Sequence, residues 1–146
     1  FPMHKGMDGF MSPSQYETLY WKPMRKVIDA LLEMNITPIL YTEGPYDTRV
    51  EQLCDLPRGK VLVHFEQADM ARAKKILGNT CCLTGGFPVF LLEYGTKEQV
   101  ADEAKRLLDT CAADGGYILD TDCCIENVKR ENLEVLFDTV RTYGVY

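Results

Sequence analysis

Four short apolar runs, at 37–42, 60–65, 80–84 and 116–119, punctuate this chain, and a stretch of helical periodicity follows each one. Their starts lie 23, 20 and 36 residues apart. Strands joined by hairpins need only short connections. Steps of this length, each holding a helix, fit parallel strands with crossover connections. That rhythm also says where a site belongs, because parallel α/β folds gather their chemistry at the carboxyl ends of the strands. The polar residues that close the runs are Glu43, then His64 and Glu66, then Gly85 and Gly86, then the segment from Asp120 to Cys124.

The size suits one domain, 1–146, with a core of its own. A net charge of −6 argues against nucleic acid or an anionic membrane surface as partner, since both call for a basic face. No apolar run approaches the roughly 20 residues of a membrane-spanning helix. Six cysteines include the adjacent pairs Cys81/Cys82 and Cys123/Cys124, a poor layout for a disulfide framework. They are read as reduced thiols, which implies a cytoplasmic protein.

Local signals punctuate the helices. Ser12 with Gln15, and Thr96 with Gln99, have the spacing of capping boxes, and Pro13 suits a first helical position. Asp69 is placed to cap the helix after the second run, and Asp47 or Thr48 the short helix before it. Pro23 falls inside the apolar stripe Tyr16, Leu19, Tyr20, Val27, Ile28, Leu31, Leu32 and is expected to kink or break that helix. Gly85 and Gly86 allow either a tight turn or close backbone approach to a ligand. Four parallel βα units fit a small open sheet and half of an eight-stranded barrel equally well. In the second case the inner-face residues, taken as Ile39, Val61, Val63, Leu83 and Ile118, need cover, and a homo-oligomer is expected.

Several stretches together resemble the C-terminal half of the uroporphyrinogen decarboxylase superfamily. They are Ser-Pro-x-x-Tyr from Ser12, Thr-Pro-Ile-Leu-Tyr-Thr-Glu-Gly from Thr37, Ala-x-Ala-Lys-Lys-Ile-Leu-Gly from Ala71 and Gly85-Gly86. Tyr-Gly-Thr-Lys-Glu-Gln-Val from Tyr94, Gly-Gly-Tyr-Ile-Leu from Gly115 and Glu-Asn-Leu from Glu131 continue the series. The resemblance implies a (β/α)8 TIM barrel, of which this chain carries the last four βα units without the N-terminal half.

The superfamily also contains zinc-dependent methyltransferases that move methyl groups between corrinoids and thiols. Where these carry His-x-Cys-Gly, this chain reads Tyr41-Thr42-Glu43-Gly44, and Cys123 falls at a further zinc cysteine. The resemblance therefore implies Glu43 and Cys123 as metal ligands and catalytic residues, with His64 as a third donor. Zinc accepts sulfur, imidazole and carboxylate ligands, and a catalytic site keeps one position open for substrate. Glu66, Gly85, Gly86, Asp122 and Arg49 are the candidate substrate contacts, Arg49 for a carboxylate or phosphate. The implied cofactors are zinc and a methyl-corrinoid, and the implied partners are a small-molecule substrate and a corrinoid protein. The alternatives are a cofactor-free tetrapyrrole decarboxylase and a non-catalytic, self-associating half-barrel. The decarboxylase branch carries Gly-His-Gly-Ile near the last strand, where this chain has Asp122-Cys123-Cys124-Ile125.

Overall fold

In the computed structural model, which describes residues 1–145, four strands form one sheet in the order β1-β2-β3-β4. They are β1 (Ile39–Pro45), β2 (Leu62–Gln67), β3 (Cys82–Phe87) and β4 (Tyr117–Thr121), and every neighbouring pair is parallel. Crossovers connect them: a 3-10 helix (Asp47–Asp55), helix α3 (Met70–Leu77), and the helices α4 (Val89–Tyr94) and α5 (Lys97–Cys111). Helix α6 (Arg130–Tyr143) closes the chain against α5. This is the architecture of four βα units, half of a TIM-barrel-like fold. Each strand runs two or more residues past the end of its apolar run. Glu43, Glu66, Gly85, Gly86 and Asp120 thus sit inside the strands rather than beyond them.

The register separates two faces. Leu40, Val63, Phe65, Leu83 and Phe87 point to the helices and are buried with Ile28, Leu53, Ala73, Leu77, Val100, Ala104 and Leu107. The opposite face carries Ile39 and Tyr41, Leu62 and His64, Cys82 and Thr84, and Ile118 and Asp120. This corrects the expected inner face: Val61, Val63 and Leu83 belong to the helix-covered core, whereas Ile39 and Ile118 do stand exposed on the open face. Both faces of these strands carry apolar residues, so no alternation marks which one the helices cover.

The capping signals correspond to real structure. Ser12 and Gln15 form a capping box on α1 (Pro13–Gln15), Thr96 and Gln99 form one on α5, and Asp69 accepts from the Arg72 N–H on α3. Asp47 and Thr48 cap nothing; Asp47 instead accepts from the Asp69 N–H. Pro23 does not break its helix. The chain widens into a π-type segment, Tyr16–Trp21, where the Lys22 N–H reaches the Glu17 carbonyl, and then continues as α2 (Lys22–Glu33). The wider turn leaves room for a ring that would otherwise strike a carbonyl four residues back.

The first three residues run along the free edge of β1. The Met3 N–H donates to the Tyr41 carbonyl at 2.7 Å, and the Tyr41 N–H donates to that of Phe1 at 2.8 Å. All six cysteines are free. Among the described residues, no helix is long and apolar enough to cross a membrane.

Candidate active site

At the carboxyl ends of β1, β2 and β4, on the open face, lies a cleft of about 410 Å³. Tyr41, Glu43, His64, Glu66 and the run from Asp120 to Ile125 line it. Its volume falls within the range of small-molecule sites. The sheet register explains the grouping. Tyr41 pairs with His64 and His64 with Thr84, so these side chains stand in one row, and Glu43, Glu66 and Asp120 stand one step further along.

His64 is the buried centre of the group, 6% exposed. Its Nε2 lies 2.9 Å from the Thr121 carbonyl oxygen. A carbonyl can only accept, so Nε2 carries the hydrogen. Asp120 Oδ2 sits 3.8 Å from the same nitrogen, and the Tyr41 ring packs against the imidazole with centroids 4.8 Å apart. Thr42 donates its hydroxyl hydrogen to the His64 carbonyl at 2.8 Å and ties β1 to β2.

The carboxylates are held by the backbone. Glu66 Oε2 accepts from the Gly44 N–H at 2.7 Å, Asp122 Oδ1 from the Val89 N–H at 3.0 Å and Asp120 Oδ1 from the Thr121 N–H at 2.9 Å. Glu43 meets His4 at 3.3 Å. Neither lysine nor arginine lines the cleft.

Seven of the expected site residues divide into two groups. Glu43, His64, Glu66, Asp122 and Cys123 come together in the cleft, while Gly85 and Gly86 stay behind it. A Cβ on Gly85 would stand 2.3 Å from the Phe65 carbonyl oxygen, and one on Gly86 would stand 2.6 Å from Met70 Cγ. Gly85 lets β3 lie close to the β2 backbone, and Gly86 lets it lie close to Met70 of α3. Arg49, the eighth expectation, is corrected outright. It is buried, donates from Nη2 to the Met11 carbonyl at 2.6 Å, stacks on Tyr16 at 4.5 Å and faces Asp8 at 3.7 Å. It braces the N-terminal loop and does not face the cleft.

One participant escaped the sequence reading, and a second was placed at the strand end without its partner. His4 approaches Glu43 from the N-terminal turn, 39 residues away in the chain, and no local signal announces it. Asp120 was visible only as part of an acidic run; its approach to His64 depends on the β3–β4 register.

The side chains that would hold zinc are engaged elsewhere. Nε2 of His64 already gives its hydrogen to Thr121, and Glu43 faces His4. Desolvation pushes the Cys123 thiol up to about 11, helped by its hydrogen bond to Asp122 and by the charges of Asp122 and Glu66. Among the described residues, no three His, Cys, Asp or Glu side chains gather to hold a metal ion. The donors as arranged do not fit zinc.

The thiol makes a direct prediction. Cys123 should alkylate slowly at neutral pH, because only the thiolate reacts, and its rate should climb as pH rises toward about 11. Asp122→Asn removes the charge and should raise the rate at pH 8 by roughly tenfold, one unit of pKa. Peptide mapping after iodoacetamide pulses measures it. An unchanged rate would show that Asp122 does not hold the proton on sulfur.

The uroporphyrinogen decarboxylase (URO-D) family profile matches residues 4–143. The chain belongs to the uroporphyrinogen decarboxylase family. A uroporphyrinogen decarboxylase of Geobacter metallireducens is 29% identical over 112 residues, which cover 77% of this chain and 32% of that protein. A methyltransferase from Methanosarcina mazei superposes with a TM-score of 0.77 at 18% identity, over 99% of this chain and 42% of its own. The second likeness is one of fold. The chain spans less than half of either relative.

Proposed function

We propose that this uroporphyrinogen decarboxylase family chain is the C-terminal half of a methyltransferase barrel, with a small-molecule substrate held in the cleft between Glu43 and Cys123. The observation that carries the reading is the charge of the cleft. Glu43, Glu66, Asp120 and Asp122 line it and no lysine or arginine does. A tetrapyrrole bearing many carboxylates would meet like charge there, and close like charges are costly. A methyl group carries no such charge.

The reaction needs an acceptor lone pair to form a bond to the methyl carbon while the bond to the donor atom breaks. The chain's contribution is to bind and orient the two partners. His64, fixed by Thr121 and Tyr41, and the backbone-held carboxylates form a rigid wall for that purpose. The finer reading passes the methyl group between a thiol and a methyl-corrinoid on a partner corrinoid protein. No step runs through zinc, given the donor arrangement. Exposed Ile39, Tyr41 and Ile118 on the open face support self-association as part of the same reading.

The test sets the two chemistries side by side. The protein is incubated with a methyl-corrinoid and a thiol, and separately with uroporphyrinogen. Methyl thioether should form above the protein-free control, with no loss of substrate carboxylates, and zinc retained after dialysis should stay well below one ion per chain. Release of carbon dioxide from uroporphyrinogen without methyl transfer would overturn the proposal in favour of decarboxylation.

A further inference from the structure

We propose that Cys123 and Cys124 form a redox-active vicinal dithiol, and that a low-molecular disulfide closes it to a protein disulfide that loosens the anchor of His64 at Thr121. The proposal stands apart from the reaction the cleft carries out.

The two adjacent cysteine pairs are placed differently. Cys82 opens β3 and stands on the open face, while Cys81, one residue earlier, is buried in the core. Neighbours along a strand point to opposite sides, so that pair cannot meet. Cys123 and Cys124 follow β4 in a segment that is neither helix nor strand. Both are exposed free thiols, and both line the cleft. The chain is pinned just before them. The Asp122 N–H donates to the Phe87 carbonyl at 2.7 Å, and Asp122 Oδ1 accepts from the Val89 N–H at 3.0 Å. Closure therefore twists the peptide between the two cysteines and leaves the strand in place. Adjacent Cα atoms are about 3.8 Å apart, short of the roughly 4.4–6.8 Å that ordinary disulfides span. The closed ring is strained, and strained, exposed disulfides are the readily reduced ones. That suits a reversible switch and not a staple.

Thr121 connects this pair to the site. Its hydroxyl donates to the Cys123 carbonyl at 2.8 Å, and its own carbonyl accepts from His64 Nε2 at 2.9 Å. The Cys123 carbonyl belongs to the peptide that must twist. Closure withdraws it from Thr121 and frees the residue that holds the imidazole.

The exchange is balanced. The thiol hydrogen of Cys123 is bonded to Asp122, so Cys124 attacks first. Its thiolate sulfur bonds to one sulfur of the small disulfide, the S–S bond breaks, and one thiolate leaves. The Cys123 sulfur then attacks the Cys124 sulfur. Its proton passes to Asp122 and on to solvent, and the second thiolate leaves. The protein loses two electrons and two protons, and the small disulfide gains both as two thiols.

The test treats the reduced protein with excess oxidised glutathione and follows intact mass, peptide maps and the imidazole NMR signals, with His4→Gln to assign the two rings. The unaltered chain should lose the mass of two hydrogens. Cys123 and Cys124 should resist alkylation after unfolding while the other cysteines accept it. The His64 signals should shift by more than those of His4, and dithiothreitol should restore them. Cys123→Ser should stop at the mixed disulfide of glutathione on Cys124. No reaction, a mixed disulfide that persists on the unaltered chain, or a bond from either cysteine to any other cysteine overturns the proposal. Closure that leaves the His64 signals unmoved overturns the coupling through Thr121.

Discussion

Gly85→Ala should cost about 4 kcal/mol or more, the scale reached by substitutions that force strain into a packed core. Gly85 has φ +92°, where an L side chain is strained, and its absent Cβ would lie 2.3 Å from the Phe65 carbonyl oxygen and 3.0 Å from the Phe65 nitrogen. Both are backbone atoms of β2, which cannot swing aside as a side chain can. The same Cβ would press on His64 Nε2 at 3.1 Å. Stability and site geometry should therefore fail together. Thermal unfolding should shift down by roughly 10 °C, or the protein should not fold at all. Gly59→Ala is the control. It also has positive φ, +69°, but nothing lies within 4 Å of its Cβ, so only conformational strain of about 1–2 kcal/mol is expected. Equal losses for the two variants would show that φ rather than the approach of β2 sets the cost.

Asn132→Asp should destabilise by about 3 kcal/mol near neutral pH, more than half of which returns in acid. Asn132 is 1% exposed and its Nδ2 donates to the carbonyls of Leu91, Leu92 and Gly95 at 3.0–3.2 Å. It binds α6 to the carboxyl end of α4. Aspartate puts an oxygen where those three acceptors need a donor. The sign follows from linkage. Burial and the facing carbonyls favour the protonated acid in the folded state, so its folded pKa stands above the unfolded value of about 4. The penalty is small below pH 4 and grows as pH rises from there through the folded pKa. Denaturant titrations at pH 4 and pH 8 measure it. A loss independent of pH would mean that shape, not charge, is what α6 requires.

Much of this fold can be read along the chain because its causes are local. Ser12 and Gln15, Thr96 and Gln99, and Asp69 act within one helical turn, and all three caps form. The parallel order follows from the spacing of the apolar runs. The gathering of Glu43, His64, Glu66, Asp122 and Cys123 in one cleft follows from the same order, since each stands inside a parallel strand or just beyond its carboxyl end. Arg49 went astray because charge in a short helix carries no sign of which neighbour will bury it. Its partners, Asp8, Met11 and Tyr16, lie 33 to 41 residues away. Pro23 does not break the helix because the segment before it has already widened into a π-type turn, a state that no short-range signal in the sequence announces.

By itself the sequence determined four parallel βα units, their caps, and a polar rim at the strand ends, because periodicity and capping act over a few residues. Only the tertiary structure decided which sheet face stays open, that His4 meets Glu43, that Arg49 is a brace and that Gly85 yields space to Phe65. The physical reason is that strands with apolar residues on both sides have no alternation to betray their covered face. Contacts between distant segments depend on register and helix placement, which no single stretch of the chain contains.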